Sequence, residues 1–133
     1  MIHLLLLTHG QFADGILDAA NLIVGKQSGV EVLALKEGDS IDEFSEQVLN
    51  VVNTLKIGCE GVLIMVDVFG ASPCNVVSSL IEHDQKIDVV SGLNLPMLLE
   101  VLLQRKNLSL SELAQAAAES GREGIKIISN LLT

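Results

Sequence analysis

The chain has 133 residues, a length that predicts one domain over residues 1–133 with a core that needs no disulfide or metal. Its formal charge of −9 argues against nucleic acid or an anionic membrane as partner and favours a basic protein. No signal peptide and no apolar run of about 20 residues is visible, and Cys59 and Cys74 lack metal-binding spacing. We therefore expect a reduced, cytoplasmic protein.

Strand and helix signals alternate along the chain, beginning with the unbroken apolar run 4–7, which ends in a glycine turn at Gly10. Strands are predicted at residues 2–8, 30–35, 61–66, 87–90 and 124–129. Helices are predicted at residues 12–25, 40–55, 72–83, 96–104 and 109–119. The apolar face of the first helix is predicted to comprise Phe12, Ile16, Ala20, Ile23 and Val24.

Helix boundaries are indicated by capping residues and prolines. Ser40 with Glu43, and Ser109 with Glu112, form capping-box pairs, in which serine and glutamate each satisfy a free amide at the helix start. Proline suits a first helical turn because its missing N–H would have no partner there, as at Pro73 and Pro96. The last helix is predicted to close at Gly121, and the helix over residues 72–83 to run without a break.

The alternation predicts an α/β fold, an open parallel sheet of about four strands in flavodoxin-like order with helices on both faces. Residues 124–129 follow two consecutive helices instead of a normal crossover, so we expect them to form an extra strand at a sheet edge. In this strand order the first and third strands are neighbours, and the loops after them diverge and leave a crevice.

His9 and Asp67 lie at the ends of the first and third predicted strands, and therefore at that crevice. A carboxylate that accepts a hydrogen bond from one imidazole nitrogen fixes the tautomer and leaves the other nitrogen as a nucleophile. The two residues are therefore candidate catalytic groups. Each also has a purely structural interpretation, His9 as a turn residue and Asp67 as a brace of its own loop.

The loop after the third strand is a candidate anion site. Amides at Gly70 and Ala71, and the start of the next helix at Ser72, favour a phosphate group. The Thr8 hydroxyl is a further candidate phosphate donor. Alternatively, Ser72 caps its helix and Thr8 packs at the strand end. No nucleotide-binding glycine motif is present, which argues against a nucleotide.

Four motifs together resemble the IIA domain of the mannose family of the bacterial phosphoenolpyruvate-dependent sugar phosphotransferase system (PTS). They follow the family's order and interval and cover essentially the whole chain. The motifs are residues 8–10 (THG), 66–73 (VDVFGASP), 91–97 (SGLNLPM) and 121–124 (GREG). The chain departs from the family at Phe69 and Ala71, where members often have tryptophan and glycine.

The resemblance implies a phosphotransferase component with a phosphohistidine intermediate. The phosphoryl group would pass from the protein HPr to His9 and then to a IIB domain, which serves the membrane IIC/IID permease. Asp67 would orient the imidazole, the loop from Gly70 to Ser72 would lie over the phosphoryl group, and no cofactor or metal would be needed. Members are homodimers in which the last strand pairs with the partner's sheet, which fits residues 124–129.

Three alternatives remain open from the sequence. The related phosphotransfer subunit that serves dihydroxyacetone kinase shares the fold and the histidine of the first strand. A receiver-like regulatory module would be phosphorylated on Asp67, but it needs Mg²⁺ held by an acidic pair at the end of the first strand, where this chain has Thr8 and His9. A binding module without a covalent step is the third.

Overall fold

Four aliphatic segments form one parallel sheet in a computed structural model that describes residues 1–132. Thr133, the last residue of the predicted domain, lies outside the described residues. The strands are β1 (His3–His9), β2 (Val30–Leu35), β3 (Val62–Val66) and β4 (Ile87–Ser91). Their order, β2-β1-β3-β4, confirms the predicted flavodoxin-like sheet and makes β1 and β3 neighbours.

Helices cover both faces of the sheet, as predicted. They are α1 (Phe12–Val24), α2 (Ile41–Leu55), α3 (Ser72–Ser78), α4 (Leu80–His83), α5 (Leu95–Gln104) and α6 (Leu110–Glu123). Because successive strand side chains point to opposite faces, Leu4 and Leu6 pack with α1, α5 and α6, whereas Leu5 and Leu7 pack with α2 and α3. Burial on both faces explains the unbroken apolar run of β1, and each such leucine stabilises the fold by about 2 kcal/mol.

The two predicted capping boxes differ in the structure. Ser109 and Glu112 exchange both hydrogen bonds, at 2.9 and 3.2 Å, at the start of α6. At the start of α2, Ser40 accepts from the Glu43 amide at 3.4 Å, and no bond in the opposite direction is found among the described residues. Both helices begin where the sequence predicts.

The predicted helix over residues 72–83 is wrong as one continuous element, because α3 ends at Ser78 and α4 begins at Leu80. The Ser78 hydroxyl donates to the Cys74 carbonyl oxygen at 2.8 Å. A side-chain bond to the carbonyl four residues back competes with the helical ladder and bends helices. The interruption therefore has a local cause that hydrophobic spacing does not reveal.

The prediction that Gly121 closes the last helix is also wrong, since α6 continues to Glu123. The carbonyl oxygen of Gly121 accepts a bond of 2.9 Å from the Asn94 side chain, and a Cβ at Gly121 would lie 3.0 Å from Met97 Cε. Glycine is present here because α6 packs closely on the start of α5. The motifs at 91–97 and 121–124 thus meet in one contact.

The predicted strand at residues 124–129 does not form within this chain. Residues 124–127 have no regular structure, and a 3-10 helix spans Ile128–Leu131. A strand needs the backbone of a partner strand for its hydrogen bonds, and this segment pairs with neither edge strand of its own sheet, β2 or β4. Exchange of this segment between two chains remains a prediction.

Two glycines provide a matched test of the packing of α6 against the start of α5. Gly15 lies inside α1 with open space around the position that a Cβ would occupy, whereas a Cβ at Gly124 would lie 2.3 Å from Pro96 Cγ. We expect Gly15→Ala to raise the free energy of unfolding by about 0.5–1 kcal/mol. Gly124→Ala should lower it by about 1–3 kcal/mol because the rigid proline ring must move.

Urea unfolding at a single protein concentration measures both effects, since association would otherwise shift apparent stability. Equal changes in the free energy of unfolding for Gly15→Ala and Gly124→Ala would contradict the close packing of α6 on the start of α5.

Candidate functional site

The carboxyl ends of β1 and β3 bring His9 and Asp67 into contact, as the topology predicts. Leu7 pairs with Val66, so the two chain segments leave the sheet side by side. Asp67 Oδ2 lies 2.9 Å from the backbone nitrogen of His9 and 2.9 Å from its ring nitrogen Nδ1. A carboxylate only accepts hydrogen bonds, so Nδ1 carries the proton and donates it. The neutral ring therefore has its lone pair on Nε2.

Asp67 is held as a partly buried anion. Its second oxygen, Oδ1, accepts from the Val68 amide at 2.9 Å, and its side chain is only 12% exposed. Burial alone would raise the pKa of Asp67, but the hydrogen bonds from the His9 backbone and ring, the electrostatic attraction of that ring and the bond from Val68 outweigh it. The pKa of Asp67 therefore lies below its ordinary value, and the carboxylate is ionised at neutral pH.

The His9 ring, in contrast, faces outward, with 48% of its side chain exposed. Its backbone is fixed by the turn that follows. Gly10 donates to the Leu35 carbonyl oxygen at 2.9 Å and has φ +54°, the left-handed region that favours glycine. The imidazole is thus rigidly attached and open to an incoming molecule at the same time.

Thr8 is fully buried behind His9. Its hydroxyl oxygen accepts from the Ala13 amide at 3.0 Å, and the hydroxyl lies 3.5 Å from the His9 carbonyl oxygen. It therefore ties the end of β1 to the first turn of α1, the strand-end role that the sequence leaves open. The predicted contact between Thr8 and a phosphate remains a prediction.

The loop between Asp67 and α3 is exposed and has a defined shape. Gly70 has φ +84°, and its carbonyl oxygen accepts from the Asn75 side chain at 3.3 Å. The interpretation of Ser72 as a helix cap is wrong, because Ala71 has the extended cap conformation and Ser72 is the first helical residue. Ala71 has no side-chain oxygen, so no cap bond closes this end. Binding of phosphate by Gly70, Ala71 and Ser72 remains a prediction.

The sequence analysis misses three features near the site. Phe12 is predicted to lie on the buried face of α1 but is 44% exposed at the start of that helix. Asn75 holds the loop through its bond to Gly70, but nothing in the sequence distinguishes it from other polar residues of the predicted helix. Asn94 caps α5 by accepting from the Met97 amide at 3.0 Å. Asparagine before Leu-Pro could have suggested this cap.

Three further observations on residues 1–132 concern other kinds of site. No three His, Cys, Asp or Glu side chains gather there as a metal site would require. Cys59 and Cys74 are both free, the first half-buried and the second buried. Within the same described range, every helix is too short or too polar to cross a bilayer.

The low pKa of Asp67 predicts a pH-dependent stability difference. A carboxylate with a depressed folded pKa stabilises the fold above its unfolded pKa of about 3.9, and this contribution is lost as pH falls through the folded pKa. Asp67→Asn should therefore lower the free energy of unfolding by about 1–2 kcal/mol at pH 7. The difference should shrink as the pH falls below about 4.

Urea unfolding of both proteins across this pH range tests the prediction, with Asp18→Asn as control because Asp18 is an exposed aspartate on α1. If the difference in the free energy of unfolding between wild type and Asp67→Asn stays constant or grows in acid, Asp67 is not a stabilising anion.

Comparison with known proteins identifies the family of the chain. The family model described as "PTS system fructose IIA component" matches residues 3–118. A fructose-specific EIIA component of Bacillus subtilis is 30% identical over 132 residues, covering 99% of this chain and 90% of the relative. A crystal structure of an EIIA component from Streptococcus agalactiae superposes with TM-score 0.84 at 36% identity, covering 98% of this chain and 99% of that one.

A mannose-specific EIIAB component of Escherichia coli is 33% identical over 126 residues, which are 91% of this chain. The chain spans only 38% of the length of that relative. The match of the family model over most of the chain and the similarity to a relative of nearly equal length lead to one conclusion: the chain belongs to the mannose family of IIA components of the bacterial PTS.

Proposed function

We propose that this IIA component carries a phosphoryl group on His9, taking it from phosphorylated HPr and passing it to a IIB domain during sugar uptake. The observation that carries the proposal is the 2.9 Å contact between His9 Nδ1 and Asp67 Oδ2 beside an exposed ring. The contact assigns the proton to Nδ1 and leaves Nε2 as the nucleophile. Such transfer would take place in the cytoplasm.

In the proposed reaction, the Nε2 lone pair forms a bond to phosphorus while the bond from phosphorus to the donor nitrogen breaks. The donor nitrogen keeps the electron pair of the broken bond. The His9 ring then carries a positive charge, which the Asp67 carboxylate stabilises through Nδ1–H. Transfer to the IIB domain is the same step in reverse, with His9 as the leaving group.

Phosphoryl transfer depends mainly on positioning and charge stabilisation. A chain of net charge −9 repels a phosphate dianion, so local donors must offset that repulsion. We assign this role to the amides of Gly70 and Ala71 and to the amide and hydroxyl of Ser72. For Thr8, which is fully buried and accepts from the Ala13 amide, we propose an indirect contribution through the position of His9.

The alternatives fit the site less well. A receiver-like module would be phosphorylated on Asp67, but both oxygens of that carboxylate already accept hydrogen bonds from His9 and Val68. The family match names PTS IIA components and not the dihydroxyacetone kinase subunit. The relatives are named for different sugars, mannose in one case and fructose in another, so we propose that the sugar is selected by the membrane permease.

Phosphorylation of His9 can be tested by intact-mass analysis after incubation with phosphorylated HPr. We expect wild type to gain the mass of one phosphoryl group and His9→Ala to gain none. His83→Ala is the matched control, since His83 is also exposed but lies at the end of α4, and it should be labelled like wild type. Equal labelling of wild type and His9→Ala would refute His9 as the carrier.

We further propose that two chains form a homodimer by exchanging the segment after α6. This segment exposes five large apolar side chains, each at 60% or more. They are Ile125, Ile127, Ile128, Leu131 and Leu132. So many exposed apolar groups in a short stretch indicate a surface covered by another chain. Pairing with a sheet edge of the partner in a closed two-fold dimer would bury the segment and leave no open edge there.

Removal of residues 125–133 tests the exchange, because it leaves α6 and the packing of Gly124 on Pro96 intact. Light scattering should show a dimer for wild type and monomers or aggregates for the truncated chain. Lys126→Ala in the full chain serves as control and should remain dimeric. A truncated protein that is well folded by circular dichroism and still dimeric would contradict the exchange.

A further inference from the structure

Two of the four motifs lie outside the loops that carry His9 and Asp67. Residues 91–97 connect β4 to α5, and residues 121–124 end α6. Because β4 is the neighbour of β3 in a parallel sheet, the loop that follows β4 lies beside the end of β3 at the carboxyl edge. The end of α6 returns to the same place and packs on the start of α5. The two motifs therefore meet next to the strand end that presents Asp67.

The loop after β4 holds the end of β3 by a backbone hydrogen bond. The Leu93 amide donates to the Val66 carbonyl oxygen at 3.0 Å, and the Leu93 side chain is buried at 5% exposure. Val66 is the last residue of β3, and Asp67 follows it directly. The point at which Asp67 leaves the sheet is therefore fixed in part by the position of Leu93.

Asn94, the next residue of this loop, makes two side-chain hydrogen bonds with different purposes. Its Oδ1 accepts from the Met97 amide at 3.0 Å and caps α5, while its Nδ2 donates to the Gly121 carbonyl oxygen at 2.9 Å. The cap needs only an oxygen, which serine or aspartate supplies equally well. The amide donor is what asparagine adds, and it links the loop to α6.

The α6 side of this link leaves no free space. Gly121 is buried, and a Cβ there would lie 3.0 Å from Met97 Cε and 3.5 Å from Asn94 Oδ1. A closely packed contact transmits a displacement of one element to the next, because it has no void that could absorb the movement. The end of α6 and the loop after β4 are therefore expected to move as one unit.

We propose that Asn94 is a positioning residue for the phosphoryl site. By holding the loop after β4 against α6, it keeps the Leu93 amide on Val66. It thereby keeps Asp67 in place against the His9 ring. The proposal rests on the phosphocarrier function of His9. Since Asn94 acts through geometry, loss of its link to α6 should misplace Asp67 and slow transfer to His9 while the cap of α5 remains.

Two substitutions test the link from its two sides. Asn94→Ser keeps a capping oxygen at the start of α5 but lacks the Nδ2 donor. Gly121→Ala adds a methyl group in the closely packed contact on α6. The control is Ser109→Ala, which removes the capping box at the other end of the same helix. That end lies at the amino edge, where a Cβ at Gly61 would lie 3.2 Å from Leu110 Cδ2.

The first measurement is the second-order rate constant of phosphorylation by phosphoramidate, a donor small enough to react without a protein interface. Nε2 of His9 forms a bond to phosphorus as the bond from phosphorus to nitrogen breaks, and the protonated nitrogen leaves as ammonia with the electron pair. The second measurement is the ¹⁵N chemical shifts of the His9 ring in the unphosphorylated protein. These shifts report which ring nitrogen holds the proton, and hence whether Asp67 is in place.

We expect Asn94→Ser and Gly121→Ala each to lower the rate constant about tenfold, since small misplacements near a reacting group have effects of this order. The double variant should be no slower than the slower single variant, because both substitutions break one contact. The ring of His9 should change from one tautomer to a mixture of two in the Asn94→Ser and Gly121→Ala variants. Ser109→Ala should match wild type in both measurements, although it also loses stability.

Three results would overturn the proposal. An unchanged rate constant and unchanged ring shifts in Asn94→Ser would show that the link does not reach the site. An equal loss in Ser109→Ala would trace the effect to general destabilisation, and losses that multiply in the double variant would mean two independent contacts. A loss that higher protein concentration restores would likewise overturn it, because association of chains would then be the cause.

Failure of the underlying function gives a different result. If His9 is not a phosphocarrier, wild type takes no phosphoryl group on His9 from either phosphoramidate or HPr. The ring shifts of the unphosphorylated protein still show in that case whether Asn94 holds Asp67 against His9. The two failures are therefore distinguishable.

Discussion

The contact between Asp67 and His9 is the constraint on which the rest of the site depends. One carboxylate oxygen binds both the backbone and the ring of His9, and the other binds the Val68 amide, so a single side chain ties together two strand ends. This is possible only because β1 and β3 are neighbours in the sheet. The hydrogen bonds outweigh the burial of Asp67 and keep its pKa low, and the resulting anion fixes which ring nitrogen holds the proton.

The residues that stabilise the fold are separate from the residues of the candidate site. The unbroken aliphatic strands β1 and β3 are buried on both faces and hold the sheet, while the residues that follow them are exposed at one edge. His9 is rigid because Gly10 and Asp67 hold its backbone, although the ring itself is open. The Phe69 loop is braced by Asn75. A rigidly held, exposed imidazole with exposed apolar neighbours suits the proposed transfer of a phosphoryl group between proteins.

The fold and the pairing of His9 with Asp67 are predictable from the sequence because both follow from general rules. Short apolar runs form buried strands, and functional sites of parallel sheets lie at the carboxyl ends of the strands. Arg105 is not predictable in this way; it is 2% exposed and donates to the carbonyl oxygens of Ser28 and Gly29 at the amino end of the sheet. Such long-range pairing leaves no local pattern. The predicted apolar face of α1 is wrong at both ends, at Phe12 and at Ile23, which is 59% exposed, because helical spacing alone does not show where a buried face ends. The strand predicted at residues 124–129 does not form within a single chain, and its pairing with a partner chain stays a prediction.

The most direct test of the central claim is the position of the phosphoryl group. Nuclear magnetic resonance of the protein with ¹⁵N-labelled histidine, after phosphorylation by HPr, distinguishes the two ring nitrogens through their coupling to phosphorus. The Asp67 contact predicts phosphorus on Nε2 of His9 with a proton retained on Nδ1. Phosphorus on Nδ1, or a phosphoryl group on Asp67 with an unmodified His9 ring, would contradict it.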